Sequence, residues 1–290
     1  MTGKVVVVTG ANSGIGKDVA TYVAGKGATL FMMCRSADRA EAAKQEIITL
    51  TGNSKIEVVL MDVSEMANIK TAVQELQSKT SKIDCLVCNA GTLLNKRQES
   101  SEGYEVTFAS HLLGGAYLLT KLLVPQLQAA GDKQGRCIMV TSGGMYNFAF
   151  PSWDKATSNP ETGEKYNGTN VYAYAKRGQV LLTEELAKEY PDVSFVTVHP
   201  GWTDTPAVEE AFGDQKKYLQ PLRTPWQGAE GVTWLSQTDS KNLKSGDFYL
   251  DRIVQPKHLA GPCFSEGSFT KNEPKEVQAM VENLKKAAGI

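Results

Sequence analysis

The chain has 290 residues, with 31 Lys plus Arg against 32 Asp plus Glu, a formal net charge of -1. A chain near this length buries about three-quarters of the surface its unfolded form exposes, so no disulfide or metal staple is required. Apolar residues at 41% and charged residues at 22% exclude a disordered chain, and the near-neutral balance lacks the basic footprint of a nucleic-acid binder.

The N-terminus, MTGKVVVVTG, has an apolar run of only four residues and no cleavage pattern, so it does not read as a signal peptide. No stretch of the sequence approaches the roughly 18 uncharged apolar residues of a membrane span. Five cysteines, an odd number scattered along the chain, suggest reduced thiols and a cytoplasmic setting. Cys85 and Cys88 have metal-like spacing but fall on a strand, where residues three apart point to opposite faces; no metal site is expected.

Apolar runs predict strands at 4–9, 28–34, 56–61, 83–88, 136–141, 193–199 and 246–250. They are rich in Val, Ile, Leu and Phe and mostly unalternating, as parallel strands covered on both faces are. Helix-period segments at 14–26, 36–51, 65–80, 102–130 and 171–189 fill most of the gaps. Alternation of strand and helix predicts an α/β doubly wound parallel sheet of about seven strands flanked by helices, a Rossmann fold in one domain over residues 1–290. Two long irregular gaps, 143–170 and 202–224, leave the carboxyl ends of strands, where such sheets bind ligands. Apolar residues at helical spacing over 274–288 predict a C-terminal helix packed on the core or on a subunit neighbour.

Chemistry begins after the first strand. Gly10, Asn12, Ser13, Gly14, Ile15 and Gly16 open the first helix, with Gly10 for the tight turn, Gly14 for approach to a pyrophosphate and Gly16 for close helix–strand packing. Arg35, nineteen residues past Gly16, is followed by Ser36. A guanidinium there suits a ribose 2′-phosphate, where a carboxylate would suit the free hydroxyl, so NADP(H) is expected over NAD(H). Asp62, before Val63, is placed either to accept from the adenine amino group or to cap a helix starting near Ser64. Ser142 follows the fifth strand, and Tyr172 and Lys176 are four apart on one helix face. A free tyrosine titrates near ~10; a neighbouring ammonium lowers that value toward a useful range.

These features together resemble the short-chain dehydrogenase/reductase family, and within it the retinol-dehydrogenase-like subgroup. The resemblance runs from about residue 4 to 258 and is carried by TSGGM (141–145), VYAYAKR (171–177), HPGWTDTP (199–206) and FYLDR (248–252). It implies Tyr172 as proton donor and acceptor, Ser142 on the substrate oxygen, and Lys176 on both the tyrosine and the ribose. It further implies a cofactor role for Asn89, Ala90 and Gly91, and nicotinamide contacts from Pro200, Gly201, Thr203 and Thr205. The substrate implied is a small carbonyl or alcohol, and relatives that are dimers or tetramers allow a homo-oligomer. One position departs from the family pattern: its asparagine in the helix after the fourth strand falls on His111 by one register and on Leu112 by another. A neutral imidazole can donate and accept, so His111 either holds the relay water or is simply a bonded buried histidine.

Met145, Tyr146, Phe148, Phe150, Trp153 and Trp202 suggest an apolar mouth, or loops packing on themselves. A second reading is a cofactor-binding interaction module of low turnover, favoured only by His111. A sugar-nucleotide epimerase is disfavoured by the short region after residue 200. His199 is read as structural, and His258 has no evident partner.

Overall fold

The computed structural model describes residues 1–131, 135–259, 267 and 269–290. Cys263, one of the five cysteines, lies outside them; the other four are free thiols in the interior. Strands β1 (Val5–Thr9), β2 (Thr29–Cys34), β3 (Ile56–Leu60), β4 (Cys85–Cys88), β5 (Arg136–Val140), β6 (Ser194–Val198), β7 (Phe248–Leu250) and β8 (Ile253–Val254) form one sheet in the order β3-β2-β1-β4-β5-β6-β7-β8. All neighbours are parallel except β7 and β8, so the expected sheet of about seven strands gains an antiparallel edge. Asp251 and Arg252 make that hairpin by adopting φ of 50° and 66°, a turn the sequence carries without glycine.

The strand order reverses between β1 and β4, which opens a crevice at the carboxyl ends of both. Each sheet face has its own apolar core. Val7, Phe31, Leu86 and Cys88 face one side; Val6, Val8, Leu30 and Cys85 face the other. Cys85 and Cys88 therefore diverge, as their strand spacing required. Burying two such faces, at roughly 25 cal/mol per Å² of apolar surface, is the main drive for the fold.

The helices Gly14–Gly25, Ala37–Thr51, Met66–Lys79 and Gly168–Glu189 fall where the periodicity put them. Pro274–Ala288 is also helical and buries Met280, Leu284 and Ala288 in the core on the Leu86 side. Besides the single turn Trp153–Ala156, two helices lie outside the predicted helical segments, Pro206–Phe212 and Pro225–Gln237. Each begins with Thr-Pro, and Thr224 with Gln227 closes a reciprocal capping box, a start signal that is visible in the sequence.

The long helix Val106–Gln128 has the length and hydropathy of a membrane span, although the sequence holds no long uncharged apolar run; most of it is buried inside the protein. Glu105 starts it, its carboxylate accepting from the N–H groups of Thr107 at 3.0 Å and Phe108 at 2.7 Å. From Ala109 to Leu118 it winds as a π-helix. Such a turn takes one residue more than an α-turn. Gly114 and Gly115 permit it: a Cβ on Gly115 would stand 2.0 Å from the Ser110 carbonyl oxygen, and one on Gly114 would stand 2.2 Å from that of Val63.

Candidate active site

The glycine loop is shaped by its neighbours across the crevice. Gly10 has φ of +66°, and a Cβ there would stand 3.1 Å from both Ala90 Cα and Asn89 Nδ2. At Gly16 the conflict is worse, 2.4 Å from the Gly10 carbonyl oxygen and 2.5 Å from Asn89 Nδ2. Asn89 in turn donates from Nδ2 to Thr9 O at 3.0 Å, while the N–H groups of Asn89 and Ala90 both donate to Thr9 Oγ1 at 2.9 Å. The end of β4 is thus strapped to the end of β1, as the family pattern implied. Ser13, exposed, stands as N-cap with no side-chain bond into the helix, beside half-buried Asn12; Ile15 packs onto the core. A helix N-terminus that opens on glycine backbone suits a pyrophosphate, so these residues fit a dinucleotide.

Arg35 follows β2 with an exposed side chain, and Ser36 takes the N-cap position of Ala37–Thr51 without a side-chain bond into the helix. Arg35 Nη1 lies 3.7 Å from Asp62 Oδ2. Asp62 does not cap a helix: Met66–Lys79 has Glu65 at its N-cap, and Asp62 Oδ1 instead accepts from Ser64 N at 2.9 Å and Ser64 Oγ at 2.7 Å. Val63 is buried beneath the π-turn glycines.

Tyr172 and Lys176 sit in the first turns of Gly168–Glu189, whose start is capped by Asn167 accepting from Asn170 N at 3.1 Å. Lys176 Nζ lies 5.4 Å from the centre of the Tyr172 ring and donates to Val140 O at 2.6 Å. Ser142, immediately past β5, caps a short turn, accepting from Gly144 N at 3.2 Å. Its hydroxyl and the Tyr172 ring flank the same glycine: a Cβ on Gly144 would stand 3.7 Å from Ser142 Oγ and 3.8 Å from Tyr172 Cε1. Serine, phenol and ammonium therefore converge at the carboxyl end of β5.

The electrostatics correct one expectation. Burial pushes the Tyr172 phenol up, with only the nearby Ser142 hydroxyl opposing, and burial pulls Lys176 down to about 7. Two enclosed groups each resist charge, so the lysine does not by itself acidify the tyrosine; the phenol keeps its proton at neutral pH.

His111, not Leu112, is the residue of the π-helix that meets Tyr172. The two rings stand edge to face, 5.0 Å apart at 86°, whereas Leu112 is turned toward Gly178 on the neighbouring helix. The extra residue of the π-turn accounts for the two registers. His111 Nε2 bonds Thr92 O at 3.0 Å, and its Nδ1 is buried with no partner among the described residues. Burial first, and the Lys176 charge second, hold its pKa well below the ordinary value, so the ring is neutral. Gly91 makes room for it, since a Cβ there would stand 1.9 Å from His111 Cε1.

After β6 the chain turns at Pro200 and Gly201, the latter at φ of +77°. Thr203 is buried, its hydroxyl donating to Pro200 O at 3.2 Å. Thr205 caps Pro206–Phe212 and lies against the phosphate loop: a Cβ on Gly14 would be 3.4 Å from Thr205 Cγ2. The segment implied to hold the nicotinamide thus closes over the glycine loop.

The aromatic mouth is smaller than expected. Met145 and Phe150 are buried, Trp153 packs edge-on to Phe108 at 5.2 Å, and Tyr146 donates its hydroxyl to Pro256 O. Phe148 and Trp202 stay exposed, the latter 6.0 Å from Phe212. His258 does have a partner: Arg177, fully buried, donates from Nη2 to its Nδ1 at 2.7 Å and from Nη1 to Lys257 O at 2.6 Å.

Comparison with known proteins agrees with this geometry. The family pattern of the short chain dehydrogenases matches residues 4–152. The human protein named dehydrogenase/reductase SDR family member 12 is 37% identical over 99% of this chain and 86% of its own. Human retinol dehydrogenase 11 is 30% identical over 87% of this chain and 78% of its own. Among solved structures, an alcohol dehydrogenase from Thermococcus sibiricus, complexed with 5-hydroxy-NADP, superposes with TM-score 0.64 at 25% identity over 81% of this chain and 91% of that one. A 3-ketoacyl-(acyl-carrier-protein) reductase from Brucella melitensis, complexed with NADH, gives 0.66 at 26% over 85% and 96%. On its family pattern, its relatives and its convergent Ser142, Tyr172 and Lys176, this chain belongs to the short-chain dehydrogenase/reductase family, in the retinol-dehydrogenase-like group.

Proposed function

We propose that this protein is an NADP(H)-dependent oxidoreductase that interconverts a lipophilic aldehyde or ketone with its alcohol. The observation that carries this reading is the convergence of Ser142 Oγ and the Tyr172 ring on either side of Gly144, with Lys176 Nζ 5.4 Å from that ring and the phenol keeping its proton. A neutral phenol beside a serine hydroxyl can offer two hydrogen bonds to one carbonyl oxygen, and the phenol can give its proton as the oxygen becomes an alkoxide. The bound nicotinamide supplies the hydride in reduction and accepts it in oxidation. Lys176, near 7, exchanges protons easily at working pH and stands behind the phenol to restore its proton. His111 Nδ1, a buried acceptor facing this corner, holds the relay water in place of the family's asparagine.

The guanidinium of Arg35, two-thirds exposed beside Asp62, supports the preference for the 2′-phosphate. Trp202 and Phe148 support an apolar substrate, and the name of the retinol dehydrogenase relative agrees with that class.

Stopped-flow oxidation of NADPH with a panel of aldehydes and ketones of rising chain length tests the proposal. Tyr172→Phe is expected to slow turnover about a thousandfold, within the range for a lost general acid, with NADPH affinity within threefold. A phenylalanine variant as active as the parent refutes the chemistry, and indifference to chain length refutes the lipophilic substrate. NADPH binding with no turnover on any carbonyl favours the low-turnover module.

A further inference from the structure

His199 lies just past β6, half-buried, and touches both turns that border the proposed reaction centre. Its Nδ1 accepts two backbone N–H groups, from Gly143 at 3.1 Å and from Gly201 at 3.3 Å. Gly143 follows Ser142, and Gly201 begins the turn that leads to Thr203 and Thr205. One nitrogen therefore ties the hydroxyl-bearing turn to the turn facing the nicotinamide. The fit is close on both sides: a Cβ on Gly143 would stand 3.0 Å from His199 Nε2, and one on Gly201 would stand 2.5 Å from Arg223 Nε. The backbone N–H of His199 is itself fixed, donating to Tyr249 O at 2.9 Å.

Arg223 secures the outer side of the staple. Its guanidinium forks onto Asp251 at 2.5 and 2.7 Å, and its backbone N–H donates to Trp202 O at 2.7 Å. The excursion 204–222 is thereby pinned at its base to the β7–β8 hairpin.

We infer that His199 is a positioning residue for the proposed reaction: as a shared acceptor it fixes the Ser142 turn against the Pro200–Gly201 turn. This rests on the roles of Ser142 and the nicotinamide segment given above. Serving two donors requires a bare lone pair on Nδ1, hence the tautomer with its proton on Nε2. The charged groups that act on the ring are Arg223, Asp251 and Lys176; burial first and Arg223 second hold its pKa at about 4, so the acceptor persists at neutral pH. Position matters here because hydride transfer needs reacting atoms about 3–3.5 Å apart, and an error near 1 Å slows it about a hundredfold.

The test compares His199→Asn, His199→Gln and His199→Leu in the full chain. An asparagine oxygen occupies nearly the place of Nδ1, a glutamine oxygen reaches toward Nε2, and leucine offers no acceptor. With a reactive test aldehyde and NADPH, leucine and glutamine are expected to lower kcat at least about thirtyfold with KM within about threefold, while asparagine stays within about threefold of the parent. Hydrogen exchange of peptides covering 141–147 and 199–205 should quicken at least about tenfold in the first two variants and not in the third. A purely structural histidine would change thermal stability without that split. Equal kcat and equal exchange in all three variants, or a loss shared by asparagine, overturns the inference. Should leucine fail to fold, the asparagine–glutamine pair decides. Should the parent turn over no carbonyl, the proposed function falls, and the exchange split alone then upholds or overturns the staple.

Discussion

The cofactor side of this molecule and its substrate side are held together differently. On the cofactor side, glycine backbone meets short side chains: Gly16 lies under the Gly10 carbonyl, Asn89 and Ala90 hang from one threonine hydroxyl, and no long side chain is needed. On the substrate side, single side chains reach far along the sequence. Asn272 makes both bonds to the backbone of Phe150, at 2.9 and 2.8 Å, Arg177 reaches Lys257 O, and Arg223 reaches Asp251. A cradle built from glycines admits no atom more, whereas a loop held by one guanidinium can be re-cut while the sheet stays intact. The difference suits a common cofactor joined to a variable substrate.

The sharpest way to break the comparison is to add one methyl group to the cradle. Gly16→Ala puts a Cβ 2.4 Å from a backbone oxygen that no rotamer change can move. NADPH affinity by fluorescence titration is expected to fall about ten- to a hundredfold, in line with overpacking costs of about 1–3 kcal/mol concentrated on the binding loop. An affinity within threefold of the parent would show the cradle to be softer than its contacts say.

Acid stability probes the seam between the two sides. His199 has a folded pKa of about 4, against about 6.5 unfolded. The unfolded chain therefore binds the proton first as pH falls. Stability is fully present above about 6.5 and is lost as pH drops toward 4, on the order of 2–3 kcal/mol for this group. His199→Asn has no proton to take up, so its urea midpoint should fall less between pH 6.5 and 4 than that of the parent. Parallel curves would mean that the ring is already exposed to protons in the fold.

Much of the cofactor side was legible because its signals are local. Glycine spacing, a four-residue Tyr–Lys step and unalternating strands are all periods within a short window, and they placed β1 to β7 and the triad. The substrate side resisted because its signals are pairs. Nothing near Arg223 announces Asp251, and nothing near Arg177 announces His258, which seemed partnerless. The aromatic run after Ser142 was legible as apolar but not as inward or outward, and Met145, Phe150 and Trp153 went to the core. Lys176 lies beside Tyr172 as the four-residue spacing predicts, whereas the burial that lowers its pKa is a property of the folded site. The Thr-Pro starts at 205 and 224 are local signals too, but they lie within and at the end of the 202–224 segment, whose composition otherwise suggests irregular structure.

His111 sits where sequence left two registers, and the π-turn settles which residue meets Tyr172. If its Nδ1 holds the relay water, His111→Leu should lower kcat about thirtyfold while NADPH binding stays within threefold, a loss in the range of one acid–base contribution. His111→Asn, which returns the family's residue and keeps an acceptor, should recover most of the rate. Leucine with unchanged kcat would return the histidine to a packing role, with its place against Gly91 as its whole function.

The smallest expected effect lies at the rim of the cofactor side, where Arg35 is exposed and bonded only loosely to Asp62 at 3.7 Å. An exposed ion pair contributes little to stability, so Arg35→Asp should leave the melting temperature nearly unchanged. Its effect belongs to discrimination. A guanidinium can fork onto a 2′-phosphate, whereas a carboxylate repels that group and accepts from the ribose hydroxyl of NADH. The ratio of NADPH to NADH affinity should therefore shift toward NADH by about tenfold or more, one charge-assisted contact being replaced by a repulsion. The second carboxylate at residue 62 strengthens the shift, because it no longer faces a cation. A ratio unchanged by this substitution would take the NADP(H) preference away from Arg35 and leave the glycine cradle as a site for either dinucleotide.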